Sequence, residues 1–170
     1  MKHTKTRIGR IRNLCIAAVI AALYTVLTCV VGAFGLANGV IQLRLSEALC
    51  ILPVFVPAAI PGLTIGCLLS NIILSAMWQD VIFGSLATLL GALGAYWLRR
   101  HPYLAPLPTV ISNALIIPPI LAYVYGAEEG MVFLTISVGL GELLSAYVCG
   151  LILLPLLKKH AKRLFGSRAV

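Results

Sequence analysis

Charge is nearly absent from the middle of this chain, and that limits its fold more than any other feature. Between Leu14 and Leu157 only eight residues are charged, and long apolar runs separate them. Over the full 170 residues 61% are hydrophobic and 11% charged, with a mean hydropathy of +1.03. A soluble domain carries about 25% charged residues, so this chain lacks the side chains to cover a water-facing surface. That excludes a soluble enzyme, a secreted disulfide scaffold and a disordered chain. The pattern predicts an all-α, polytopic membrane protein: one transmembrane domain over residues 1–170, lying in a lipid bilayer, with basic flanks at about 1–12 and 158–170.

Proline, glycine and charge divide the apolar sequence into six predicted spans. They cover about Leu14–Phe34, Leu43–Val56, Ala58–Met77, Val81–Leu98, Leu107–Tyr125 and Met131–Leu157. A loop over Gly35–Gln42 follows the first. Pro53 and Pro57 close the short second span, and Pro118-Pro119 kinks or ends the fifth. Six spans place both termini on one side, together with Arg99-Arg100. Twelve of the 13 Lys/Arg then share that side, and Glu128-Glu129 lies opposite. By the positive-inside rule the basic side is cytoplasmic, which predicts a multi-pass cell-membrane protein with both ends inside. The net charge of +8 sits in these flanks rather than on a continuous face, so no nucleic-acid partner is expected.

The first apolar run is longer than the ~7–15 residues of a signal-peptide core, and it reads as a retained helix. Cysteines 15, 29, 50, 67 and 149 all lie in apolar stretches without CxxC spacing, and read as buried, reduced thiols used as small apolar residues. Small residues recur at helical spacing in four runs: Ala17, Ala21, Thr25; Gly62, Gly66, Ser70; Gly84, Ala87, Gly91, Gly94; and Ser137, Gly141, Ser145. Such stripes let helices approach closely in lipid.

Six polar residues then stand out: Arg44, Glu47, Asn71, Asp80, Asn113 and Glu142. Ionisable groups at membrane depth are expensive and point to function. Glu142 lies 11 residues in from Met131, and Asn113 lies 12 in from Tyr125. At 1.5 Å per residue both are roughly 16–18 Å from the outer boundary, near mid-membrane. Arg44, Glu47 and Asp80 fall at the outer end, so the set fits one outward-opening pocket. Structural alternatives exist for most of them. Arg44 and Glu47 are three apart and can pair with each other. Asp80 can cap its helix, and Asn71 and Asn113 can hydrogen-bond between helices. Glu142 has no basic residue within four positions. The three histidines lie in the flanks, so no histidine metal site is expected. No P-loop, HExxH or GxSxG motif is present, so neither an enzyme nor an ATPase is expected, and no cofactor.

The segments Arg44–Leu49, Ile60–Leu63, Gly66–Asn71, Asp80–Leu89, Pro108–Asn113 and Gly139–Glu142 occur in an order that resembles the QueT family. These are S components of energy-coupling-factor (ECF) transporters, linked to uptake of queuosine precursors. The resemblance implies a six-helix bundle of the ECF S-component type. It implies docking onto an ECF T component with two cytosolic ATPases, through an alanine face of the first helix; Ala17, Ala18, Ala21 and Ala22 supply that spacing. The implied ligand is a 7-deazaguanine such as preQ1, preQ0 or queuine.

Glu142 and Asn113 offer acceptors and donors to such a ring edge, and Trp78 or a pocket tyrosine offers a stacking face. Arg44 against Glu47, Asp80 and Glu142 leaves a charge of −2, which favours a cationic ligand. Two other readings stay open: an S component for another vitamin or purine-like ligand, and a stand-alone proton-coupled secondary transporter.

Overall fold

A computed structural model describes residues 2–34 and 44–165, with the backbone alone for 2–8 and 162. The loop over Gly35–Gln42 and the expected start of the second span at Leu43 lie outside the described residues. The described chain is helical throughout, with no strand among the described residues. Helix α1 covers Lys2–Ala33, and a 3-10 helix follows over Leu45–Val54. Then come α2 (Ala59–Ile73), α3 (Trp78–Trp97), α4 (Leu107–Tyr123) and α5 (Met131–Glu142). A π turn over Leu143–Val148 joins α5 to α6 (Cys149–Phe165).

Three stretches are long and apolar enough to cross a membrane: Gly9–Ala33, Trp78–Trp97 and Met131–Ala161. The other three apolar helices have 10, 15 and 17 residues, short of the ~20 residues a full span needs. Against the sequence expectation of six spans, the structure offers three full-length candidates and three shorter helices. Local chemistry sets the short lengths. The second segment forms a 3-10 helix, which rises about 2.0 Å per residue and so covers roughly 20 Å in ten residues. Helix α2 ends at Ile73 in a left-handed stop. Ser75 has φ 56°, its N–H donates to the Ile72 carbonyl at 3.0 Å, and the Ala76 N–H donates to Asn71 at 2.9 Å. These are the two bonds that satisfy the last carbonyls of a helix whose next residue turns left-handed.

Consecutive helices pack side by side: α1 on α2, α2 on α3, α3 on α4 and α4 on α5. The 3-10 helix lies among them, touching α1, α2, α3, α6 and the π turn. Its residues Cys50–Val54 are buried in a core built with Ile20, Tyr24, Leu63 and Leu154. Glycine makes the closest approaches possible. A β-carbon at Gly62 would lie 2.8 Å from the Ala17 carbonyl oxygen, and one at Gly66 would lie 2.8 Å from Tyr24 Cβ. At Gly94 it would run into the Pro108 ring. These glycine stripes serve packing within the chain, as small residues do between helices in lipid.

Around the bundle, Leu14, Val26, Ile72, Leu115, Val132 and Ile152 are each more than half exposed. An apolar circumference of this kind suits lipid rather than water, and the chain is a membrane protein. At one end, Arg12 on α1 and Phe165 on α6 line the same apolar groove of about 430 Å³. Lys158 of α6 lies over the Tyr103 ring, in the turn after α3. The start of α1, the 98–106 turn and the end of α6 thus meet at one end.

Candidate functional site

The 3-10 helix organises the buried polar groups. In that geometry residues three apart eclipse one another, so Arg44, Glu47 and Cys50 share a face. Glu47 is fully buried. Tyr24 of α1 donates its hydroxyl to Glu47 Oε1, and the Cys50 thiol donates to Oε2 at 3.0 Å. The carboxylate is thus held by two neutral donors rather than by Arg44, the partner its three-residue spacing offered. Arg44 instead gives its backbone N–H to Ser145 Oγ of the π turn at 3.1 Å. Thr28, one turn beyond Tyr24, bonds Ser46 Oγ at 2.8 Å. Together these bonds tie α1 and the π turn to the start of the 3-10 helix.

Glu142 ends α5 at the point where the π turn begins. A π turn holds one residue more per turn and is frequent at functional sites. Here it leaves Glu142 and Ser145 buried while Leu143 and Leu144 face outward, 39% and 46% exposed. Asn113 of α4 is 2% exposed. Helix α4 packs against α5, so Asn113 and Glu142 sit on adjoining helices. Yet Asn113 Nδ2 and Glu142 Oε2 are both buried with no hydrogen-bond partner. Thr109 Oγ1, one helical turn before Asn113, is likewise unpartnered. Buried polar atoms are nearly always satisfied, and each of these costs about 1–3 kcal/mol if left so. An open donor and an open acceptor in one cluster form a site able to take a ligand edge that offers the converse pair.

The remaining sequence-predicted residues divide. Asn71 is buried, and its Nδ2 donates to the Asp80 carbonyl at 3.4 Å across the α2–α3 connection. That ties two helices together, one of the alternatives its sequence context allowed. Asp80 is not a helix cap. The cap position is Met77, and Asp80 lies in the first turn of α3, where the helix dipole favours it. Its Oδ2 accepts from Tyr125 at 3.2 Å, and Tyr125 in turn accepts from the Met77 N–H at 3.2 Å. Asp80 is thus a half-buried rim residue. Trp78 is 67% exposed and stands outside the buried cluster.

The alanine face of α1 also divides. Ala17 and Ala21 are buried, their backbones against Gly62 and Gly66 of α2, whereas Ala18 and Ala22 are exposed. The expectation of a four-alanine partner face is corrected for Ala17 and Ala21, because α2 already covers them.

Sequence reasoning missed Tyr24 and Cys50. The five cysteines are free, but of the burial expected for all of them only Cys50 and Cys67 show it, with Cys15 exposed and Cys29 and Cys149 half-buried; Cys50 is moreover a hydrogen-bond donor to a carboxylate, not an apolar filler. The signal for Tyr24 was present. It is the one tyrosine in the first apolar run, and Ala17, Ala21, Tyr24 and Thr28 share one helical face.

The sequence pattern of the QueT transporter family matches residues 14–159. A stretch of 89 residues is 42% identical to the queuosine precursor transporter QueT of Lactococcus lactis subsp. cremoris (strain MG1363). That stretch covers 52% of this chain and 49% of the relative, so the match spans about half the length of that protein. No solved structure matches the chain.

Proposed function

The chain belongs to the QueT transporter family, and from that premise we propose that it is the ligand-capturing S component of an ECF importer for a queuosine precursor. The family is one of transporters rather than enzymes. The observation that carries the reading is the pair of open, buried atoms at Glu142 Oε2 and Asn113 Nδ2. A 7-deazaguanine presents N–H donors and a carbonyl acceptor along one flat edge. Glu142 accepts from the donors, and Asn113 donates to the carbonyl. Arg44, Asn71 and Asp80 shape the surroundings rather than grip the ring.

The chain crosses the membrane six times in this reading, with both termini cytoplasmic. Support comes from the gathering of the α1 start, the 98–106 turn and the α6 end at one basic end. The T component and two cytosolic ATPases would supply the energy. On α1 they would meet Ala18 and Ala22, the alanines that α2 leaves free.

Calorimetric titration of the purified protein with a 7-deazaguanine tests the reading. Glu142→Gln replaces one acceptor by a donor that faces ligand donors. An unsatisfied buried contact costs about 1–3 kcal/mol, so binding should weaken roughly 10–100-fold, tenfold per 1.4 kcal/mol. Unchanged affinity with a lower melting temperature would make Glu142 a structural residue and sink the assignment.

A further inference from the structure

We propose that the groove between α1 and α6 is a binding site for one anionic phospholipid, with an acyl chain lying in the groove and the head-group phosphate at Arg12. This is a second site, apart from Glu142 and Asn113, and it does not depend on what the chain transports.

The groove exists because α1 and α6 both pack on the 3-10 helix and, among the described residues, have only marginal contact with each other. The 3-10 helix is therefore its floor. Leu49 and Leu52 are three apart, so they eclipse, and both line the groove. They stand on a different face from Arg44, Glu47 and Cys50. Val19 and Leu23 of α1 form one wall, and Leu153 and Leu164 of α6 the other. Val19, Leu23 and Leu164 are 59%, 49% and 57% exposed, so this cavity of about 430 Å³ is open to whatever surrounds the bundle. From Arg12 to Leu23 the groove follows α1 for roughly 16 Å, at 1.5 Å per residue. Half of a ~30 Å hydrocarbon core is ~15 Å. The groove thus has the length of an acyl chain in one leaflet. A crossing helix from a partner needs about twice that length.

Charge gives the occupant its class. Arg12 is the one charged residue in the described lining of the groove, and it sits at the end where the basic flanks gather. A second depression of about 360 Å³ shares Leu157 and Leu164 with the groove and is lined by His160 and Arg163. An arginine thus stands on each side of the α6 wall, and no carboxylate lines either cavity. Guanidinium groups recognise phosphate with paired hydrogen bonds. With the basic end cytoplasmic, as proposed above, the groove faces the leaflet that carries anionic lipids, and basic pockets between helices on that side bind their head groups. An apolar slot one leaflet long, with an arginine at its polar end, matches an anionic phospholipid in both parts.

Native mass spectrometry of the detergent-purified full chain tests this. The chain is titrated with phosphatidylglycerol, which is anionic, or with phosphatidylcholine of the same acyl chains, which has no net charge. The wild-type protein should retain one phosphatidylglycerol and prefer it by about fivefold or more, the effect of one basic residue on an anionic lipid. Arg12→Gln should narrow the preference to about twofold or less. Arg99→Gln removes a cation outside the groove, beside Tyr96, and should leave the preference unchanged. Val19→Trp fills the groove from an exposed position and should lower retention of both lipids about fivefold; Leu23→Trp is the second variant if it does not fold. No retained lipid, equal retention of the two lipids, or equal effects of Arg12→Gln and Arg99→Gln would overturn the proposal. So would a lipid-free dimer that Val19→Trp dissociates, which would make the groove a contact between copies. Undiminished lipid retention by Val19→Trp together with lost T-component assembly would make it a protein seat, and would overturn the proposal as well. No 7-deazaguanine enters these measurements, so their failure leaves the ligand site standing.

Discussion

Gly66 is the position where packing and the buried polar cluster are most directly joined, so Gly66→Ala should damage both. An added β-carbon would lie 2.8 Å from Tyr24 Cβ, 2.9 Å from the Ala21 carbonyl oxygen and 3.1 Å from Ala21 Cα. Two of those three atoms are backbone, so the clash cannot be relieved by rotating a side chain. Helix α1 must move off α2, and Tyr24 moves with it. The Tyr24 hydroxyl is bonded to buried Glu47, so the shift weakens a charge-assisted bond. Overpacking costs about 1–3 kcal/mol, and a bond to a charged group contributes about 1.5–3 kcal/mol. Against this stands the helix-propensity gain of alanine over glycine, about 1 kcal/mol. A net loss of roughly 1.5–5 kcal/mol follows. A thermal melt in detergent should fall by roughly 3–20 °C, at about 2–4 °C per kcal/mol for a chain of this size. Gly139→Ala is the matched control, since its β-carbon would meet only Ala114 Cβ at 3.8 Å, an ordinary contact. If Gly66→Ala melts no lower than Gly139→Ala, the close α1–α2 approach is wrong.

Four further outcomes follow from the same contacts. Ala21→Trp should lower the stability of the isolated chain, because Ala21 is buried against Gly66, whereas Ala22→Trp should fold normally and fail to co-purify with the T component; normal assembly of Ala22→Trp would refute the partner face. Ser75→Gly should raise stability by about 1–2 kcal/mol, the cost of a left-handed non-glycine residue, as read by the same melt. Tyr125→Phe breaks a half-exposed tie between Asp80 and the Met77 N–H, and should cost no more than about 1 kcal/mol; a larger loss would mean the rim is structural. A single cysteine at position 128, on a cysteine-free background, should react with an impermeant reagent added outside intact cells, and labelling only from inside would end the six-crossing topology.

Helix content was legible in the sequence because lipid imposes it: apolar runs that long admit no other backbone that satisfies its own hydrogen bonds. The burial of Glu142 and Asn113 was legible for a related reason, since each is a lone polar group in an apolar helix. The 3-10 form of Leu45–Val54 was not. Hydropathy is blind to helix type, and Pro53 and Pro57 announce only that a regular helix is interrupted. That gap concealed the role of Glu47. On an α-helix, residues three apart diverge by about 60°, given 3.6 residues per turn. On a 3-10 helix they eclipse, which sets the Cys50 thiol above the Glu47 carboxylate and leaves Tyr24 to approach its other oxygen.

The π turn after Glu142 was equally hidden, because one extra residue in a turn changes no composition and little periodicity. Its effect reaches beyond its own six residues. It buries Ser145, which receives the Arg44 N–H, and so fixes where the 3-10 helix starts. The two irregular segments therefore depend on each other: the turn that ends α5 at Glu142 also anchors the face that carries Glu47. Irregular backbone at membrane depth persists only where protein surrounds it or a cavity borders it. Here the two irregular segments pack against each other and Glu142 stands where the second begins, so the proposed ligand site adjoins the irregular backbone.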